Sequence, residues 1–212
     1  MQRSPLHDLR YALWFPLYLL TYLIMEQVTP ASYWSSQIPI DQLIPFCEWF
    51  VIPYTLWYPL LIGVGVYLLL RAPASFRRYM WFLALTFFLS AAIWLLIPNG
   101  QDLRPITMPC DNLLTAMISV LYAIDTNTNV FPSVHVVGSL GAIFAVWDCR
   151  VLRRTCFWLC WAVSILAVLI CLSTIFIKQH AVLDVISGII LSLLVAFPIY
   201  FANCNNKLDT PW

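Results

Sequence analysis

The chain has 212 residues, 62% of them hydrophobic and only 10% charged, against about 25% charged residues in an ordinary soluble domain. A chain of this length cannot bury so much apolar surface within itself, which excludes a water-soluble globule and makes lipid the solvent for most of it. The formal net charge of +1 gives no sign of a nucleic-acid partner.

A membrane-crossing helix needs about 20 mostly apolar residues. Six stretches qualify in chain order: residues 11–27, 49–70, 79–97, 133–148, 156–177 and 181–202, the first and fourth somewhat short. The lead "MQRSPLHDLR", the apolar run after it and "TPAS" also resemble a cleaved signal peptide. That lead is long, however, and its removal would leave an odd number of helices, so the first stretch is read as a span. The second stretch is rich in aromatics and carries Pro53 and Pro59, which predict kinks. Between the third and fourth stretches, "LLTAMISVLYAI" predicts a short apolar helix, either interfacial or packed on the bundle. Asp111 and Asp125 flank it and read as solvated loop carboxylates; His7 reads as solvated in the lead. No repeat or second domain is visible, so residues 1–212 form one membrane domain. Residues 1–78 hold the first two helices and residues 79–202 the remaining four.

Basic residues set the orientation. With six spans, Arg3, Arg10, Arg71, Arg77, Arg78, Arg150, Arg153, Arg154 and Lys207 share one side, and only Arg104 and Lys178 lie on the other. The predicted fold is therefore an all-α integral membrane protein, a six-helix bundle with both termini cytoplasmic. Segments 28–48 and 98–130 face outward. Cys47 and Cys110 both fall on the outer side, where a disulfide is chemically open to them. Cys149, Cys156, Cys160, Cys171 and Cys204 read as small apolar residues, without metal-type spacing.

The two exceptional cations stand at the same face as His135 and His180. Pairing with Asp102 or Asp111 is one explanation; an anionic ligand is the other. His180 and Asp184 are spaced i, i+4, so on a helix the carboxylate can fix one imidazole nitrogen and leave the other free to attack. Ionisable groups in a bilayer cost at least about 2.5–3.5 kcal/mol on insertion scales, which marks them as functional candidates. In "PSVH", Ser133 occupies a natural N-cap and His135 falls in the first helical turn, where free N–H groups and the helix dipole favour an anion. Arg104 adds a planar fork of donors and Lys178 a point charge. Two histidines, an orienting aspartate, a serine and two cations suit phosphoryl transfer through a covalent histidine intermediate. The set His135, His180 and Asp184 would also suit zinc, although nothing else in the spacing asks for a metal.

These residues resemble the type 2 phosphatidic acid phosphatase superfamily, whose motifs are Lys-x6-Arg-Pro, Pro-Ser-Gly-His and Ser-Arg-x5-His-x3-Asp. Here the first appears as Arg104-Pro105 in "PNGQDLRP", the second as Pro132 to His135, and the third as "STIFIKQHAVLD" from Ser173 to Asp184. The resemblance implies His180 as nucleophile, Asp184 as its orienting group, His135 as general acid, and Arg104 and Ser133 as phosphate binders. It implies no metal and no cofactor. Three positions depart: Ile97 stands at the first-motif lysine, Val134 at the second-motif glycine, and Thr174 at the third-motif arginine. Lys178, Asn99 and Gln101 are the candidate substitutes.

The implied activity is hydrolysis of a lipid phosphomonoester or pyrophosphate at the outer face of the cell membrane. "QHAVLDV" also resembles the His-x3-Asp-Val of sphingomyelin and inositol phosphorylceramide synthases, which pass a phospho-head-group to a lipid alcohol and lack the third-motif arginine. The non-enzymatic alternative is a membrane protein that only binds an anionic lipid through the same cations.

Overall fold

The computed structural model describes residues 5–27 and 32–201. Arg3, Cys204, Lys207, most of "TPAS" and the end of the sixth predicted stretch at Ala202 lie outside the described residues. The described chain is almost entirely helical. A 3-10 segment, Pro5–Ala12, leads into α1, Trp14–Gln27. The segment after α1 holds β1, Trp34–Ser35, and the single turn α2, Ile40–Leu43. A 3-10 turn at Glu48–Phe50 opens α3, Val51–Thr55, which continues into α4, Trp57–Arg71. Next come α5, Pro73–Leu96, β2, Asn99–Gly100, and α6, Leu113–Ile124. The motif half comprises α7, Val134–Asp148, α8, Arg150–Thr155, α9, Phe157–Phe176, and α10, Val182–Ala196, which ends in a π-helical turn at Phe197–Phe201.

Among the described residues, four helical stretches are long and apolar enough to cross a membrane: Glu48–Arg71, Pro73–Leu96, Phe157–Phe176 and Val182–Phe201. They correspond to the second, third, fifth and sixth predicted stretches. The fourth is realised as α7, whose 15 residues rise about 22 Å. Its position accounts for its shortness. It sits at the centre of the bundle, against α4, α5, α9 and α10, so its ends meet protein instead of lipid. Small residues admit these neighbours: a Cβ on Gly138 would lie 2.8 Å from the Trp57 ring, and one on Gly141 2.7 Å from the Phe82 ring. Large apolar side chains on α1, α4, α9 and α10 stay exposed, as a lipid-facing surface requires.

The kink expected from the prolines occurs at Leu56. Pro59 has no N–H to give the Thr55 carbonyl, and the helix breaks between α3 and α4. At one end of the bundle, Arg77 pairs with Asp8 at 2.9 Å and Arg78 with Asp148, the last residue of α7, at 2.8 Å. At the other end, the segments that join the helices cross-link. Trp34 and Ser35 pair in parallel with Asn99 and Gly100, and Gly100 bridges Thr128. Glu26 at the end of α1 accepts hydrogen bonds from Thr126 N and Oγ1 and from Asn129 Nδ2. This layer covers the N-termini of α7 and α10.

Candidate active site

Both histidines lie at this layer. α9 ends in a tight turn: Gln179 N and His180 N both donate to Thr174 O, and Lys178 takes a left-handed conformation with φ 56°. That reversal delivers His180 to the mouth of α10. Asp184, in the first turn of α10, accepts the Ala181 N–H at 2.8 Å through Oδ2, and the same oxygen lies 3.5 Å from His180 Nδ1. The i, i+4 pair is therefore assembled, with Nε2 on the side away from the carboxylate. His135, in the first turn of α7, faces His180 with ring centroids 5.6 Å apart. The two helix starts are tied by Ser133 N donating to Asp184 O at 3.2 Å. One turn further, Gly188 of α10 packs so closely on α7 that a Cβ would meet Val136 Cβ at 3.0 Å and Ser133 O at 3.1 Å.

Ser133 is the N-cap residue of α7, yet its hydroxyl caps nothing. Ser133 Oγ, His135 Nδ1, His180 Nδ1, Asp184 Oδ1 and Arg104 Nε are all buried without a hydrogen-bond partner. Buried polar atoms are normally satisfied, so the four orphans on Ser133, His135, His180 and Asp184, grouped around one helix junction, mark a place for a polar ligand. Among the described residues, no three His, Cys, Asp or Glu side chains group as metal ligands.

The cations are placed differently from a simple phosphate cradle. Arg104 donates through its terminal nitrogens to the carbonyls of Tyr122, Asp125 and Thr126 and to Gln179 Oε1, and lies over the Tyr122 ring at 4.3 Å. Burial lowers its pKa from the ordinary value, with Asp125 opposing the shift. Lys178 Nζ donates to Asp41 O at 2.8 Å and Ile44 O at 2.6 Å, so it clamps the segment around α2 to the turn. Burial lowers its pKa as well, against the pull of Asp41. Neither cation pairs with Asp102 or Asp111. Asn99 and Gln101, the neutral substitutes, have their amides committed to main-chain carbonyls: Asn99 Nδ2 to Ile97, and Gln101 Nε2 to Lys178 and Gln179. Thr174 bonds within its own helix, to Cys171 O. Cys47 and Cys110 are both free thiols.

Several residues around the site carried no readable signal. His135 lies between two rings, with Tyr54 stacked at 4.5 Å and 29° and Trp57 at 4.5 Å and 43°. The proline kink turns both residues toward it; aromatics beside Pro53 and Pro59 were the only available hint. Asp41 caps α10 from across the chain, accepting Val182 N at 2.8 Å. Asp125, expected to be solvated, instead accepts hydrogen bonds from Tyr22, Tyr54 and Gln179. The α9 turn brings Gln179 within its reach, and tertiary packing brings the tyrosines. Asp111 is exposed, as expected. The helix predicted at "LLTAMISVLYAI" is α6, capped by Asn112, whose side chain accepts Thr115 N. It buries Ile118 and exposes Leu113, Val120 and Ile124.

A family model described as the PAP2 superfamily matches residues 98–207, a little over half of the chain. Searches among curated proteins and among solved structures returned no match. The matched stretch contains Arg104, Ser133, His135, Lys178, His180 and Asp184. The chain belongs to the type 2 phosphatidic acid phosphatase superfamily, whose members are phosphatases or related phosphotransferases acting on lipid phosphates.

Proposed function

We propose that the protein is a metal-independent lipid-phosphate phosphatase that works through a phosphohistidine at His180. It is a cell-membrane protein with six spans, α1 and α7 being the short ones. Both termini are cytoplasmic and the site opens at the outer face. The observation that supports this most is the facing pair of buried histidines, 5.6 Å apart, at a junction lined with unpartnered polar atoms.

In this reading, His180 Nε2 gives its lone pair to phosphorus as the bond to the leaving lipid oxygen breaks. Asp184 holds the Nδ1 proton and offsets the positive charge that develops on the ring. His135 donates its proton to the leaving oxygen. A water then enters, His135 takes one of its protons, the hydroxide attacks phosphorus, and the P–N bond returns its electron pair to His180. Ser133 Oγ, Arg104 Nε and the first-turn amides of α7 are the donors left for the phosphoryl oxygens; Lys178 supplies charge from nearby.

One observation favours a second reading, transfer of a phospho-head-group to a lipid alcohol. Main-chain carbonyls occupy the terminal donors of Arg104 and two donors of Lys178. A site with so little free positive charge suits a diester, which carries a single negative charge, better than a doubly charged monoester. The test is phosphate release from a panel of lipid phosphates in detergent micelles, with wild type, His180→Ala, and EDTA. Release that survives EDTA and is lost in the variant supports the phosphatase. Head-group exchange that needs His180, without release, replaces it with the transferase. Neither activity, with lipid binding that depends on Arg104 and Lys178 but not His180, leaves a binding protein.

A further inference from the structure

We infer that Asp125 is a positioning residue, which sets the spacing of the two histidines by holding a wall of one and the neighbour of the other. The inference rests on the histidine-pair reading above. The Asp125 carboxylate accepts three side-chain hydrogen bonds: Tyr22 OH at 2.9 Å, Tyr54 OH at 3.0 Å and Gln179 Nε2 at 2.6 Å.

Two of these donors lead directly to the reacting groups. Tyr54 stacks on the His135 imidazole at 4.5 Å. Gln179 precedes His180 in the chain, is 1% exposed, and cannot turn without moving it. Its other amide atom, Oε1, accepts from Arg104, whose guanidinium also grips the main chain of residues 122, 125 and 126. Asp125 therefore sits where α1, α3, the end of α6 and the α9–α10 turn converge. The third donor, Tyr22, touches Asp125 but neither histidine ring, and provides an internal control.

Rate is sensitive to such placement: an error of about 1 Å in a reacting group can cost roughly 100-fold. Losing the carboxylate frees both Tyr54 and Gln179, so kcat is expected to fall about 10-fold or more in Asp125→Ala, with KM changed little. Asp125→Asn, which keeps an acceptor oxygen, recovers most of that loss. Tyr54→Phe and Gln179→Met, each cutting one link, fall in between, and Tyr22→Phe stays near wild type.

A second measurement does not depend on turnover. The chain contains only three histidines, His7, His135 and His180. In protein labelled with [15N]histidine and held in micelles, Asp125→Ala is expected to shift the His135 and His180 imidazole signals and leave His7 in place. Tyr54→Phe, the milder change, is expected to shift His135 in the same direction if the alanine variant does not fold. Unmoved histidine signals in a folded variant overturn the inference, and so does a Tyr22→Phe loss of kcat as large as that of Tyr54→Phe. A wild type inactive on every lipid phosphate, with the histidine signals still shifting, removes the phosphatase reading and supports the positioning role.

Discussion

Gly188→Ala tests whether the close approach of α10 to α7 sets the site. The added Cβ would meet Val136 Cβ at 3.0 Å, Ser133 O at 3.1 Å and Val136 Cγ1 at 3.1 Å, where ordinary contact begins near 3.4 Å. Ser133 O is main chain and cannot swing away, and a β-branched valine on a helix has little rotamer freedom. The helices must part by a few tenths of an ångström. Overpacking of this kind costs about 1–3 kcal/mol, against a gain of about 1 kcal/mol from replacing a helical glycine. Gly63→Ala in α4 is the matched control, since its Cβ would meet nothing within 4 Å and keeps only the gain. The two variants should therefore differ by about 1–3 kcal/mol, or roughly 2–4 °C in Tm for each kcal/mol. The readout is thermal unfolding followed with a thiol dye in a background where Cys47, Cys110, Cys156, Cys171 and Cys204 are replaced by serine, because Cys149 and Cys160 are 0% exposed and react only on opening. The parting stretches the Ser133 N to Asp184 O bond and moves His180 from His135, so phosphate release by Gly188→Ala should fall roughly 3- to 10-fold, scaled from about 100-fold per ångström. A Gly188→Ala protein as stable and as active as Gly63→Ala would refute the reasoning.

His180→Ala should abolish phosphate release; residual turnover above background would remove it as nucleophile. Asp184→Asn keeps the shape but weakens a charge-assisted interaction worth about 1.5–3 kcal/mol, so kcat should drop about 10- to 150-fold. Arg104→Lys cannot reproduce four bonds from one fork, and should lose at least one charged hydrogen bond, about 1.5–3 kcal/mol of stability in the same thermal assay. With the other cysteines replaced, exposed Cys110 should react with a membrane-impermeant maleimide added to intact cells; labelling only after lysis would reverse the proposed orientation.

Much of this protein is written in its one-dimensional pattern. Long apolar runs make lipid-compatible helices because every main-chain group in them must be bonded internally, so the bounds of α7, α9 and α10 with its π-helical turn lie within a few residues of the runs that predict them, while α5 begins earlier, at Pro73. His180 and Asp184 were legible as a pair because their spacing is local, one helical turn. His135 at the mouth of α7 was legible for the same reason. What joins them is not local. The 5.6 Å between the histidine rings depends on Gly188 meeting Ser133 and Val136, on Asp41 capping α10, and on a proline kink that swings Tyr54 and Trp57 onto His135. Asp125 looks like any loop carboxylate until Tyr22, Tyr54 and Gln179 reach it from three elements. The roles of Arg104 and Lys178 divide in the same way. Their charge follows from sequence, but their bonds to carbonyls exist only once the connecting segments fold over the helix ends. Periodicity and local spacing decide which residues share a helix face; only packing decides which faces meet.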